Sequence, residues 1–147
     1  MELSEPMKQV KFYEVPHKER LDASERIAAY LAKETEVMFA FLYGSFISEP
    51  FFRDIDLGVY VAGIEPSQYY TFEDKLTRLS EDAIGFLFPV DVRIINTAPN
   101  FFCFEVIRGK LIFSRNEQLL VDFLTGIARK HLDMASLRRH YIREAMA

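Results

Sequence analysis

The sequence predicts an α/β domain in which helices flank a small sheet. Short apolar runs rich in β-branched and aromatic residues alternate along the chain with longer stretches of helical spacing, which is typical of layered α/β architectures. The chain has 147 residues and half of them are hydrophobic, which fits one folded domain spanning residues 1–147. No internal repeat, low-complexity tract or linker divides the sequence.

The first half of the chain predicts two helices and two strands. An extended lead-in from Met7 to Val15 precedes Lys18 to Glu34, whose apolar residues fall on one helical face. Val37 to Tyr43 is a nearly continuous apolar run, as expected for a strand buried on both faces. Asp56 to Val61 is predicted to be the second strand, and helical spacing returns from Ser67 to Ile84.

The second half predicts two further strands and two further helices. The β-branched run from Val90 to Ile95 is the third strand, and a helix is expected from Asn96 to Ile107. Leu111 to Phe113 is a short candidate for the fourth strand. Asn116 to Met146 has helical spacing, with a candidate break near Asp133, and carries apolar residues that fit either a core or a partner surface.

The residues with the clearest chemistry lie between the first two strands. An apolar strand runs into a Gly44-Ser45 turn, and after a spacer of eight residues, 46–53, the chain continues with Asp54-Ile55-Asp56. Because side chains alternate across a strand, Asp54 and Asp56 are predicted to share a face, where two carboxylates repel each other unless a cation lies between them. Magnesium carrying nucleotide phosphates is the usual solution. Gly44 allows a close backbone approach, and Ser45 supplies donors for a phosphate, so the pattern predicts a magnesium-nucleotide site.

This combination resembles the minimal nucleotidyltransferases of the DNA-polymerase-β-like superfamily. Their signature is Gly-Ser, a spacer and Asp-x-Asp, with a third carboxylate on a later strand, which Asp91 provides here. The resemblance implies a polymerase-β-like nucleotidyltransferase fold, an α+β arrangement with a small mixed sheet flanked by helices. It also implies that Gly44 and Ser45 hold the triphosphate of ATP, and that the catalytic carboxylates Asp54, Asp56 and Asp91 bind two Mg²⁺ ions.

Two features depart from the pattern of this family. The spacer is shorter than in most members, and Phe46-Ile47-Ser48-Glu49 stands where many members have a basic residue and a glycine. The acidic Glu49 near a phosphate would weaken its binding. Arg53 is the candidate that restores the missing charge, unless it points to solvent. Arg93 is expected on the same face as Asp91, where it would either contact a phosphate or a partner, or form a salt bridge to one of the acids.

Stand-alone domains of this type resemble the antitoxin half of HEPN–MNT toxin–antitoxin pairs. The resemblance implies that AMP is transferred from ATP to a tyrosine of a partner HEPN ribonuclease. The HEPN half carries an arginine followed, after four to six residues, by a histidine. No arginine and histidine have that spacing in this sequence, so the chain is not the nuclease. Two alternatives stay open: a catalytically decayed antitoxin that neutralises its toxin by contact, and a small-molecule nucleotidyltransferase of the aminoglycoside type.

Composition excludes several other classes of protein. The net charge of −4 argues against general nucleic-acid binding, although residues 108–147 are locally basic. Cys103, the single cysteine, excludes an internal disulfide and lies among phenylalanines, as a core thiol would. The sequence has neither a run of ~20 apolar residues nor an apolar leader after Met1, so we expect a cytoplasmic protein without a membrane segment.

Overall fold

Helices and strands alternate through residues 10–146, the part of the chain that the computed structural model describes. The predicted lead-in from Met7 to Val15 lies partly outside these residues, and the start of the sequence after Met1 lies wholly outside them. The elements are α1 (His17–Leu31), β1 (Val37–Tyr43), the one-turn α2 (Ser45–Ser48), β2 (Ile55–Val61), α3 (Tyr69–Ala83, after a 3-10 turn at Pro66–Gln68), β3 (Val90–Ile94), α4 (Asn100–Ile107), β4 (Lys110–Ser114) and α5 (Glu117–Ala145).

The four strands form one mixed sheet in the order β3-β2-β1-β4. Strand β1 is antiparallel to both β2 and β4, whereas β2 and β3 are parallel. Parallel neighbours need a long crossover connection, and α3 provides it. The mixed sheet implied by the family resemblance is therefore confirmed, and the predicted strand ends agree with the structure to within one residue.

Helices cover both faces of the sheet. Alternate strand residues point to opposite faces, so each face builds its own core. Helices α1 and α3 pack on one face through a cluster that includes Ile27, Leu31, Leu42, Leu57, Phe72 and Leu76. Helices α4 and α5 pack on the other through a cluster that includes Phe39, Phe41, Cys103, Val106, Leu120 and Ile127. The predicted burial of Cys103 is confirmed.

Helix α1 ends at Leu31, three residues before the predicted end at Glu34. Arg115 lies beside this end, where its Nη2 donates to the backbone oxygens of Ala32 at 2.8 Å and Glu34 at 3.1 Å. Its Nε donates to the backbone oxygen of Val37 at 2.8 Å. The Arg115 side chain thus binds carbonyls that a longer helix would have used internally.

Helix α4 begins at Asn100 and not at Asn96, as was predicted. The side chain of Asn96 exchanges two hydrogen bonds with the backbone of Val61, accepting from its N–H at 2.9 Å and donating to its oxygen at 2.7 Å. These bonds hold residue 96 at the sheet, and Pro99 is the cap residue before the first helical turn.

Helix α5 is continuous through Asp133, so the candidate break is wrong. Its first half packs on the sheet, and its second half leaves large apolar side chains exposed, namely Leu132, Met134, Leu137, Tyr141 and Ile142. Core packing therefore does not account for these residues within the described chain. No helix in residues 10–146 combines the length and apolarity that crossing a bilayer requires.

Candidate active site

The three predicted acidic residues meet at one edge of the sheet, where β1 ends and β2 and β3 begin. Asp56 on β2 lies opposite Tyr43 on β1 and opposite Asp91 on β3. Residues directly opposite each other on paired strands share a face, so the three form a row across the sheet. Asp54 immediately precedes β2, and its charge raises the pKa of Asp56. Asp54, Asp56 and Asp91 are together called the acidic row.

Gly44 fits closely against this row. Its φ of +78° lies in the left-handed region, where glycine is favoured. A Cβ atom at this position would overlap Oδ2 of Asp56. The one-turn helix α2 starts immediately after it at Ser45, and Ser48 Oγ donates a hydrogen bond of 3.1 Å to the backbone oxygen of Gly44. The structure thus brings the Gly44-Ser45 turn and the Asp56 carboxylate into direct contact.

Burial and the neighbouring carboxylates raise the pKa values of Asp56 and Tyr43. Burial, the charges of Asp54 and Asp91 and a hydrogen bond that protonated Asp56 would donate to Asp54 together raise the pKa of Asp56 to about 6, and the charge of Arg93 opposes this rise. Burial, followed by the charge of Asp56, raises the pKa of the Tyr43 phenol above its usual range. Negative charge is therefore concentrated here beyond what the nearby cations balance, as in sites that bind a metal ion.

Tyr43 is the site residue that the sequence did not single out. Its ring is half-buried and packs edge-on against Phe102 of α4, with ring centroids 5.6 Å apart. The contact places the start of α4 beside the acidic row. The position of Tyr43 directly before Gly44 was the one sequence signal for its place in the site. An aromatic residue at the end of a buried strand is common, so this signal alone does not indicate a functional residue.

Arg93 forms the salt bridge that was one of its two predicted roles. Its Nε lies 3.5 Å from Oδ2 of Asp91, and both side chains are largely exposed. This contact, led by the charge of Asp91, raises the pKa of the Arg93 guanidinium. Because the pair is exposed, it contributes at most about 1 kcal/mol to stability.

Arg53 immediately precedes Asp54 at the same edge of the sheet, and both residues line one cavity. It is exposed, and no ion pair involves it among residues 10–146. The residue before it, Phe52, forms an antiparallel bridge with Tyr13, with N–H···O distances of 2.8 and 3.1 Å. The backbone beside Arg53 is therefore fixed, while its guanidinium stays accessible.

Arg20 holds the spacer in place, a role that the sequence did not indicate. Its Nη1 donates to the backbone oxygens of Phe46 at 2.7 Å and Glu49 at 2.8 Å, and its Nη2 donates to that of Pro50 at 2.5 Å. Its guanidinium also lies over the rings of Phe46 and Phe52. An arginine in α1 thus binds the carbonyls at the end of α2 and fixes the path from Ser45 to Asp54.

The donor chemistry of the row fits a divalent cation. Carboxylate oxygens are the protein ligands that magnesium prefers. Within the described residues, no three His, Cys, Asp or Glu side chains are arranged to enclose an ion, and Asp91 is engaged with Arg93. Asp54 is the carboxylate whose charge contributes most to raising the pKa of Asp56.

Comparison with solved structures reveals the same fold in toxin–antitoxin complexes. A chain of the complex between tri-AMPylated Shewanella oneidensis HEPN toxin and MNT antitoxin is 18% identical, with 87% of this chain and 99% of that chain covered and a TM-score of 0.58. A chain of the toxin–antitoxin MntA–HepT is 18% identical, with coverages of 85% and 97% and a TM-score of 0.56. A chain of a toxin–antitoxin with AMP-PNP is 19% identical, with coverages of 84% and 98% and a TM-score of 0.59. At these identities the likeness establishes the fold.

Family membership rests on a match between the sequence and a family model. A search of curated proteins finds no match. The family model described as polymerase beta, nucleotidyltransferase matches residues 25–118, from within α1 to the start of α5. These residues include the Gly44-Ser45 turn and the three carboxylates, and they make up well over half of the chain. The chain belongs to the polymerase beta nucleotidyltransferase family.

Proposed function

We propose that this chain transfers AMP from magnesium-bound ATP to a tyrosine hydroxyl of a HEPN-family toxin. The observation that carries the proposal is the meeting of Asp54, Asp56 and Asp91 beside the Gly44-Ser45 turn at one edge of the sheet. The family match supports nucleotidyl transfer. The solved structures support the choice of nucleotide and acceptor, since one contains an AMPylated HEPN toxin and another contains AMP-PNP.

The proposed reaction is an in-line displacement at the α-phosphorus of ATP. The tyrosine oxygen forms a bond to this phosphorus as the bond to pyrophosphate breaks, and the phenolic proton is lost. Two magnesium ions, when bound, neutralise charge on the transferring phosphate and on the leaving pyrophosphate. Asp54 and Asp56 would hold these ions, and Asp91 would help to hold one of them and orient or deprotonate the acceptor. The backbone at Gly44 and the hydroxyl of Ser45 would bind the β- and γ-phosphates.

The exposed half of α5 supports a protein partner for this chain. It presents Leu137, Tyr141 and Ile142 to solvent, each more than half exposed. Exposed apolar residues grouped on one element are characteristic of protein interaction sites. The same segment carries basic clusters at residues 129–131 and 138–140 that would suit an acidic partner surface.

Intact mass spectrometry tests the proposal directly. The chain is incubated with magnesium-ATP and its cognate HEPN toxin, and the masses of both proteins are measured. We expect one or more AMP units on the toxin, and none with Asp54→Asn or Asp56→Asn. Asp74→Asn is the matched control, because Asp74 is an exposed carboxylate on α3, outside the acidic row.

The other outcomes distinguish the alternatives. Retained transfer in both Asp→Asn variants would overturn the assignment of the site. A stable complex without any added AMP would favour an antitoxin that acts by contact, for which the loss of the basic residue after Ser45 and the engagement of Asp91 by Arg93 are the supporting observations. Transfer to an aminoglycoside without labelling of any protein would favour the small-molecule enzyme.

A further inference from the structure

The proposed triphosphate site lacks a cation in the segment that follows its Gly-Ser turn. Residues 46–49 are Phe-Ile-Ser-Glu, and the nearby basic side chains are largely engaged. Arg20 donates to the spacer carbonyls, and Arg93 is paired with Asp91. A triphosphate carries several negative charges, so its binding calls for cations from elsewhere in the fold.

Two cations without carboxylate partners border one cavity beside the acidic row. The cavity has a volume of about 280 Å³ and is lined by Val10, Lys11, Tyr13, Arg53, Asp54 and Pro89. Lys11 Nζ lies 5.2 Å from the centroid of the Tyr13 ring. Among residues 10–146, neither Lys11 nor Arg53 is in an ion pair, and both side chains are exposed.

The chain before α1 is fixed in this position. Tyr13 and Phe52 exchange two backbone hydrogen bonds, and the Tyr13 ring packs on Phe52 at 5.7 Å and on Phe88 at 4.9 Å between centroids. Lys11 precedes Tyr13 by two residues and Asp54 follows Phe52 by two residues, and both line the cavity. The bridge thus brings a lysine from outside the residues matched by the family model to the cavity that Asp54 lines.

We propose that Lys11 and Arg53 form a subsite for the β- and γ-phosphates of the nucleotide, supplying the charge that is missing after the Gly-Ser turn. The inference rests on the proposed function and adds residues to its site. A guanidinium offers a planar fork of donors and an ammonium a compact charge, and phosphate oxygens accept from both. Asp54 belongs to both the cavity and the acidic row, so a polyphosphate here lies next to the proposed metal ions.

The shared carboxylate makes the subsite dependent on a divalent cation. Without one, Asp54 and the neighbouring Asp56 repel a polyphosphate. With magnesium bound, that repulsion is replaced by attraction. Inorganic tripolyphosphate should therefore bind the wild-type chain in the presence of magnesium, and should bind much more weakly in the presence of a chelator.

Calorimetric titration of Lys11→Ala, Arg53→Ala and the double variant tests the subsite. With magnesium present, we expect each single variant to reduce the affinity for ATP and for tripolyphosphate about tenfold, or ~1.4 kcal/mol. The double variant should reduce both affinities about a hundredfold. AMP has no β- or γ-phosphate, and its affinity should stay unchanged. Lys33→Ala is the matched control for the lysine, since Lys33 also lies over a tyrosine ring, at 4.9 Å from Tyr30. Arg78→Ala, exposed on α3, is the control for the arginine.

Each other outcome of the titration has a defined meaning. Unchanged tripolyphosphate affinity in the double variant would overturn the subsite, even if wild type transfers AMP. Equal losses of ATP and AMP would also overturn it, because the effect would not depend on the outer phosphates. Lys11→Arg keeps the charge and should restore binding, which separates loss of charge from loss of folding. Wild type that binds tripolyphosphate through these residues yet transfers no AMP would keep the subsite and overturn the proposed function.

Discussion

Gly44 and Asp56 are in contact across β1 and β2, and no side chain fits between them. A Cβ atom on residue 44 would overlap Oδ2 of Asp56, and the φ of +78° at Gly44 is already one that other residues rarely adopt. The glycine thus serves the proposed site in two ways, because it forms the turn and leaves the carboxylate in place. These two contributions can be separated experimentally.

Gly44→Ala should abolish AMP transfer and cost about 1 kcal/mol or more in stability. The matched control is Gly63→Ala, because Gly63 also has a φ of +78° but no atom lies within 4 Å of its added Cβ. Both variants bear the backbone strain, and only the first displaces Asp56. Transfer measured by intact mass, with urea denaturation alongside, distinguishes them. Equal activity in the two variants would contradict the importance of the Gly44–Asp56 contact.

The raised pKa of Asp56 predicts a specific dependence of stability on pH. Its pKa is about 6 in the folded chain, against an ordinary value of 3.8. Between these values the folded protein retains a proton that the unfolded chain has lost, so the free energy of unfolding falls as the pH rises from about 4 to about 6. Because Asp56 is only half-buried, solvent screening reduces the effect to about 1 kcal/mol.

Asp56→Asn should remove this contribution. In the presence of a chelator, we expect the variant to be more stable than wild type by about 1 kcal/mol near pH 7 and no more stable near pH 4. Urea denaturation at both pH values measures the difference, with Asp74→Asn as the control carboxylate. A variant less stable than wild type at neutral pH would show that Asp56 stabilises the fold. Added magnesium should stabilise wild type and have little effect on Asp56→Asn.

Arg20→Met should destabilise the chain by about 2 kcal/mol, because it removes the donors to the carbonyls of Phe46, Glu49 and Pro50. The matched control is Arg26→Met on the same helix, since Arg26 forms only an exposed ion pair with Asp22 at 2.9 Å. That variant should change stability by less than about 0.5 kcal/mol. Urea denaturation midpoints decide the comparison, and equal midpoints would mean that the spacer keeps its path without Arg20.

The sequence was most informative where chemistry and strand periodicity coincide. The apolar runs located all four strands, and the spacing of Asp54 and Asp56 correctly indicated that their charges interact. Neither pattern contains pairing information, so the mixed sheet came only from the family resemblance. The register that sets Asp91 opposite Asp56 is a tertiary property of the parallel β2–β3 pair.

The residues missed from the sequence act through backbone carbonyls. Arg20 and Arg115 each bind several carbonyls of segments distant in the chain, and such acceptors have no sequence signature because every residue has one. Asn96 likewise replaced a predicted helical turn with two hydrogen bonds to Val61. Lys11 became notable only through the bridge between Tyr13 and Phe52, which local propensity does not predict.

The packing of α4 on the sheet gives a final prediction, at Gly58. A Cβ atom on Gly58 would lie 2.6 Å from Cγ1 of Val106, so Gly58→Ala should force α4 away from β2 and cost about 1–3 kcal/mol. Val106→Ala makes room, and the double variant should be more stable than the sum of the two single changes predicts, by at least about 1 kcal/mol. The control is Gly126→Ala within α5, where the added Cβ has no atom within 4 Å. This substitution should stabilise the helix by about 0.5–1 kcal/mol.

Because the start of α4 contacts Tyr43 through Phe102, Gly58→Ala alone should also reduce AMP transfer, and Val106→Ala should restore part of it. Strict additivity of the two changes would mean that α4 does not depend on the missing side chain at residue 58 for its position.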